Sequence, residues 1–365
     1  MNLYTPPMGR AASSFIAGIL IGAAITAGIA AVAVRLADLR SPPPPPAPNE
    51  AATTGATAPI RARTLRLAHG LNTDHPVHLG LERFSELVRD RSGGKITIQL
   101  FPNGELGDET VTIEQLQSGT LDFAKASAAP LGSFSSDFAV FSVPYAFRSA
   151  DHCWSVLNGP IGQEILGSLS DKGLYGLCYM DAGARSFYAA SRPIHRPEDL
   201  EGLKVRVMES KTAMDMVSAF GGAPTPMAYS ELYSALQSRL VDAAENNPPS
   251  FFSSRHYEVA THYTLNEHSR VPDVLIMSDK TRRELSSAAL AVIEEAAAEA
   301  SLYQRELWAR RTAEALSAVR ELGVEVYKPD LGAFASVVEP LKSSYRGTRI
   351  GDLLARIDAV EDLGD

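Results

Sequence analysis

Residues 174–250 read LYGLCYMDAGARSFYAASRPIHRPEDLEGLKVRVMESKTAMDMVSAFGGAPTPMAYSELYSALQSRLVDAAENNPPS. Within this stretch, Leu203, Val205 and Val207 of GLKVRV alternate with Lys204 and Arg206. That is the period-2 pattern of a half-buried strand, with both cations on the face away from the core. Arg185 follows the apolar run Leu174–Met180, read as a buried strand, and the Gly183 turn lifts its guanidinium above the sheet edge. Two such forks can grip one carboxylate, because the planar donors of arginine match a carboxylate bidentately and stay charged. A lone arginine on a strand face is more commonly solvated or paired with a surface acid, so the surrounding sequence has to carry the argument.

Outward from this stretch the pattern is α/β. Leu65–His69 reads as a strand. Pro76–Arg91 reads as a helix with Asp74 as its cap, Leu81, Phe84 and Val88 on its core face, and Gly93-Gly94 as its stop. Lys95–Phe101 alternates as a strand, a helix covers Glu109–Gln117, and Leu121–Lys125 returns as a strand. This order predicts right-handed crossovers and a parallel sheet with helices on both faces, whose strand ends open on a cleft. Downstream, Ala219–Pro226 links into a helix over Ser230–Leu240. The Ala-, Glu- and Leu-rich run Thr281–Leu322, closing at Gly323, predicts one helix long enough to bridge two lobes.

Ala11–Val34 holds no charged residue over 24 positions, enough to span a hydrocarbon core of about 30 Å. It reads as an uncleaved membrane anchor; a long signal peptide cut after Ala31-Val32-Ala33 is the alternative. Either way the rest of the chain is exported. No cysteine lies near this segment, which argues against a lipid anchor. The run SPPPPPAPNEAATTGATAP that follows is too poor in large apolar residues to fold and reads as a spacer.

The 365 residues, 45% hydrophobic and 21% charged, make an ordinary globular balance. A net charge of −9 with no basic stripe argues against a nucleic-acid partner. The chain carries no phosphate-binding loop, no nucleophile elbow, no H-E-x-x-H and no complete dinucleotide fingerprint, so no cofactor is expected. His256, His262 and His268 recur every six residues, which keeps no common helix face, so no metal site is expected there. Cys153 and Cys178 read as free thiols, although an exported pair can also bridge.

Four strings carry a resemblance: GLKVRV (202–207), PTPMAYSELYSALQSRLVDAAENN (224–247), GGKITIQLFPNGELGDE (93–109) and LDFAKAS (121–127). Together, from about residue 64 to about 331, they resemble the solute-receptor subunit of tripartite ATP-independent periplasmic (TRAP) transporters. The resemblance implies a two-lobed α/β periplasmic-binding-protein-like fold with a ligand cleft between the lobes, hinge strands and a long connecting helix. It also implies a non-catalytic periplasmic receptor that hands a small carboxylate to TRAP membrane subunits. The domain plan is then a tail at 1–10, the anchor or signal segment at 11–34, in contact with the membrane if uncleaved, and a linker at 35–62. Lobe I takes 63–182 plus 272–311, and lobe II takes 183–271 plus 312–365.

Carried over position by position, the resemblance makes Arg206 the principal carboxylate-binding arginine, Arg185 the second, and Asn246 the amide that orients the carboxylate. Tyr229 falls where an aromatic packs on the ligand. Glu109 and Ser127 fall where some members touch its distal, hydroxylated part. Ser127 replaces the acid that sialic-acid receptors carry, which weakens that ligand. Asn247 and a second proline stand where many members have a single Asn before Pro. His69, His75 and Glu209 are further hydroxyl partners, with turn or capping roles as their alternative. The string ENNPPSFFSSRHYEVATHYTLNEHSRVPDVLIMS (245–278) resembles the hexuronate-associated branch most closely, so D-glucuronate or D-galacturonate is expected. Aldonates, diketogulonate and C4-dicarboxylates are the other acids to weigh. A reading from a different class is an exported carbohydrate hydrolase working through a carboxylate pair drawn from Glu105, Asp108, Glu109 or Glu245.

Overall fold

The computed structural model describes residues 59–361. The tail, the anchor or signal segment and all but the end of the linker lie outside the described residues. Among those described, no helix is long and apolar enough to cross a membrane.

Two sheets organise this body. In the first, β1 (Arg63–Ala68), β2 (Ile96–Phe101) and β3 (Phe123–Ser127) run parallel, while β10 (Asp273–Ser278) pairs antiparallel with both β3 and β4 (Leu174–Met180), giving the order β2-β1-β3-β10-β4. The second has the order β11-β9-β5-β8-β6-β7, from β5 (Arg185–Ala189), β6 (Lys204–Val207), β7 (Ala223–Pro226), β8 (Ala243–Asn246), β9 (His262–Ser269) and β11 (Glu325–Tyr327). The parallel expectation holds for β1–β3 but not for the whole. β10 re-enters the first sheet from the other lobe by a short link and so arrives antiparallel.

Local chemistry sets the elements. α1 (Pro76–Arg91) opens with a proline at its first turn and buries Leu81, Phe84 and Val88 completely. Its cap is His75, whose Nδ1 accepts from the Val77 N–H at 3.2 Å, in place of the expected Asp74. α2 (Glu109–Ser118) is capped by Asp108, which accepts from the Val111 N–H at 3.0 Å, and stops at Gly119 with φ +75°. The helix expected at Ser230–Leu240 is shorter: a 3₁₀ turn at Tyr229–Glu231 leads into α7 (Leu232–Gln237).

The expected single helix at 281–322 is two. α9 (Asp279–Glu284) ends at extended Leu285, and Ser286 caps a new helix, α10 (Ser287–Glu321), of 35 residues. At 1.5 Å per residue α10 is about 50 Å long. Its first half buries Ala289, Ile293, Ala296 and Ala300 with Leu81 and Phe84 in lobe I, and farther along Val319 packs with Tyr188 and Phe251 in lobe II. One helix thus ties both lobes together.

Two short links also cross between the sheets, β4 to β5 through residues 181–184 and β9 to β10 through 270–272. The first is held by α10: the Asp181 N–H donates to Gln304 Oε1 at 2.7 Å, and Gln304 Nε2 donates to the Asp181 carbonyl at 2.9 Å. Trp154 Nε1 donates to the Asp181 carboxylate at 3.3 Å. Gly183 sits at φ +58°, where a Cβ would lie 2.7 Å from Trp308 Nε1. Glycine is required there on both counts. Cys153 and Cys178 are free, and burial pushes both thiols up to about 12.

The C-terminal assignment divides. α11 (Leu331–Ser344) buries Phe334 and Val338 with Val205 and Phe220 of lobe II. α12 (Arg349–Asp358) instead turns back and buries Leu353 and Ile357 with Phe138 and Val156 of lobe I. Its Arg349 and Arg356 both pair with Glu164 there. The apolar spacing of 349–358 specifies an amphipathic helix but not which core receives it.

Candidate ligand-binding cleft

The ends of β3 and β6, the start of α2 and the segment after β8 converge on one cleft, lined from both lobes. On the lobe II side, Val205 and Val207 face the core as the alternation predicts, and Lys204 is exposed. Arg206 is not solvated: it is 2% exposed, because Met227 and Tyr229 cover its face. Its Nε and Nη2 donate to the Met227 carbonyl at 3.1 and 2.9 Å, and its Cζ lies 5.7 Å from the Tyr229 ring centre. Nη1 is buried and has no partner among the described residues. A guanidinium has five N–H groups, so the outer edge of Arg206 keeps three uncommitted. Burial pulls its pKa down, and the Glu245 charge opposes that fall.

Arg185 is differently placed. Its Nε donates to Glu245 Oε2 at 2.5 Å, its Nη2 to Glu245 Oε1 at 3.0 Å and to the Glu245 carbonyl at 2.9 Å, and its Nη1 to Asn246 Oδ1 at 2.9 Å. One N–H of the five remains. Burial works against its charge, but Glu245 outweighs burial and raises the Arg185 pKa. The two arginines are therefore not equal forks. Arg206 offers a free edge, whereas Arg185 offers a single donor and has its charge matched by Glu245.

Asn246 Oδ1 also accepts from the Asn247 N–H at 2.9 Å, so its Nδ2 is left without a partner among the described residues. Asn247 caps α8 (Pro248–Ser253) by accepting from the Ser250 N–H at 2.8 Å. Tyr229 is held by its hydroxyl against Ser254 Oγ at 2.7 Å and the Ser250 carbonyl at 3.3 Å.

The lobe I side is built on Lys125, in the buried strand β3. Its Nζ donates to Glu109 Oε1 at 2.9 Å and Asp273 Oδ1 at 3.0 Å. The same Glu109 oxygen accepts from the Ser127 N–H at 2.9 Å, and the Ser127 hydroxyl donates to Met208 Sδ at 3.4 Å. Burial works against the Lys125 charge, yet Asp273 and Glu109 outweigh it and raise its pKa. Glu209 joins the lining and accepts from Thr110 Oγ1 across the cleft at 2.8 Å.

Eight of the ten expected ligand-binding residues line this one cleft: Arg206, Arg185, Asn246, Tyr229, Glu109, Asn247, Ser127 and Glu209. His75 does not. It lies fully buried behind the wall, capping α1 with one ring nitrogen and meeting Ser250 Oγ at 3.1 Å with the other. His69 is turned onto His78 at 2.9 Å. The sequence reading missed Lys125 and Asp273. The available signal was a lysine inside the apolar string LDFAKAS, since a buried ammonium must have anionic partners. Of the carboxylates proposed for hydrolysis, Glu245 is engaged by Arg185, Glu109 by Lys125, and Asp108 caps α2. Among the described residues no three His, Cys, Asp or Glu side chains gather as a metal site.

Residues 67–347 match the family described as DctP, bacterial extracellular solute-binding protein, family 7. A solute-binding protein from Chromohalobacter salexigens is 36% identical over 272 residues, which are 74% of this chain and 81% of the relative. A TRAP periplasmic solute-binding protein from Bradyrhizobium sp. BTAi1, solved with α/β-D-galacturonate, is 39% identical, with 82% of this chain and 100% of that one covered and a TM-score of 0.79. Another, from Roseobacter denitrificans with bound β-D-glucuronate, is 36% identical over the same shares, also with a TM-score of 0.79.

Proposed function

The chain belongs to family 7 of the bacterial extracellular solute-binding proteins, and from that premise we propose that its cleft takes a hexuronate, D-galacturonate or D-glucuronate. At the coarser level it is a periplasmic, non-catalytic receptor that binds a small organic acid for uptake by a TRAP transporter. The observation that carries the finer reading is the free edge of Arg206, a buried cation facing a wall of hydroxyl-seeking groups. The ligand carboxylate docks bidentately on that edge, Arg185 Nη1 and Asn246 Nδ2 each add a donor, and Tyr229 packs beside it. The uronates bound in the two solved relatives support this choice. As an uncleaved anchor, residues 11–34 tether the receptor beside its membrane subunits.

Calorimetric titration of the exported body with galacturonate, glucuronate, gluconate and succinate tests the reading. Tight binding of either uronate is expected. Tight binding of succinate with no response to a uronate would refute it.

A further inference from the structure

β3 is buried along its whole length, yet it carries Lys125, 3% exposed, at the cleft wall. An ammonium group has three N–H donors, and two are taken by Glu109 Oε1 and Asp273 Oδ1. On each carboxylate one oxygen is used, while Glu109 Oε2 and Asp273 Oδ2 receive no hydrogen bond from any described residue. All three side chains line the cleft. The wall therefore presents an acceptor, a donor and an acceptor in succession.

A hydroxyl both donates and accepts, so two adjacent hydroxyls complete this pattern, each giving its proton to a carboxylate while their oxygens share the one remaining N–H of the ammonium. A carboxylate in the same place is acceptor-only. It would meet Glu109 and Asp273, with Asp108 and Glu209 also on the lining, and the sole ammonium there is already paired. A methylene would leave all three groups unmatched.

We infer that Lys125, Glu109 and Asp273 form a subsite that reads a pair of adjacent hydroxyls and refuses a second carboxylate, with Lys125 and Asp273 as specificity-determining residues. The inference rests on the proposed role of Arg206 at the other end of the same ligand. Within the triad, burial pushes the Asp273 pKa up against the pull of Lys125.

The test is calorimetric titration of wild type, Asp273→Asn and Glu109→Gln with galacturonate, gluconate and succinate, alongside ligand-free melting of each protein. Each substitution leaves Lys125 an acceptor oxygen and one charged carboxylate, so its ammonium stays paired. Galacturonate and gluconate are expected to lose about ten- to hundredfold in both variants. Succinate, weak or undetectable on wild type, is expected to be unchanged or to gain. Equal loss for all three acids, or a wild type that prefers succinate, overturns the subsite. Binding of gluconate without galacturonate, with the selective loss retained, overturns the hexuronate reading and leaves the subsite standing.

Discussion

Arg185 and Glu245 form a bidentate pair in which the two side chains are only 5% and 2% exposed. Burial alone would raise the Glu245 pKa, but the Arg185 guanidinium and His268 outweigh it and hold it at about 2, below the ordinary 4.5. A carboxylate depressed on folding contributes stability that is complete above its unfolded pKa and is lost as pH falls through the folded one. Urea titrations should show stability falling by about 3 kcal/mol from this pair as pH drops from about 4.5 to about 2. Glu245→Gln should abolish that component and lower stability at pH 7 by about 3–5 kcal/mol, since it strands a buried guanidinium. A variant with wild-type acid sensitivity would contradict the assignment.

Arg206 should behave in the opposite way without ligand. Its Nη1 is buried with no partner among the described residues, so Arg206→Ala is expected to leave the ligand-free melting temperature unchanged or higher. The same substitution should weaken uronate binding about a thousandfold, the equivalent of about 3–5 kcal/mol for removing one partner of a buried ion pair. Arg206→Lys should also fail to bind, because a point charge does not reproduce the fork. A loss below tenfold in calorimetry, with the fold intact, would show that the carboxylate docks elsewhere.

The link between the lobes depends on Gln304, whose amide makes both of its observed hydrogen bonds to the Asp181 backbone. Gln304→Leu keeps much of the volume but removes both, at a cost of about 1–3 kcal/mol for each backbone group left unpaired. Gly183→Ala should be as damaging, since it adds a Cβ at φ +58° against the Trp308 ring. Denaturant midpoints report both effects, and a neutral result at either position would remove the link from the account.

Between the lobes, Asn72 Nδ2 donates to the Ser253 carbonyl at 2.5 Å and Thr110 Oγ1 to Glu209 Oε2 at 2.8 Å, joining lobe I to lobe II. A ligand enclosed by such contacts needs them to break for entry, so the ligand-free protein is expected to populate a more open body. Small-angle scattering should give a smaller radius of gyration once a uronate is added to stripped protein. An identical radius at saturation would argue for a rigid cleft.

Much of this was legible locally. Pro76–Arg91 and Leu174–Met180 have the bounds that periodicity predicts, and the two-lobed α/β class follows from the order of elements. Position-by-position comparison also brought Arg206, Arg185 and Asn246 to one place. What sequence withholds is which distant partner a group finds. Lys125 meets Asp273 at a separation of 148 residues, and no local pattern encodes that pairing. The same holds for α12, whose apolar stripe would suit either lobe until the chain reversal after α11 delivers it to lobe I. His75 shows the converse: a polar residue close to the cleft in sequence is consumed by a helix end, because an uncapped N-terminus leaves N–H groups orphaned.

The chain has two tryptophans, and both sit against the 181–184 crossover, Trp154 through the Asp181 carboxylate and Trp308 against Gly183. Each indole also has a charged or titratable neighbour, Arg305 at 4.7 Å from Trp154 and the His75 ring at 5.7 Å from Trp308. All the intrinsic indole emission of the molecule therefore originates where the lobes articulate, and none originates from a distant surface to dilute it. Stopped-flow emission from the unlabelled protein follows the articulation directly, and substituting each indole by phenylalanine in turn assigns the signal to one side of the crossover.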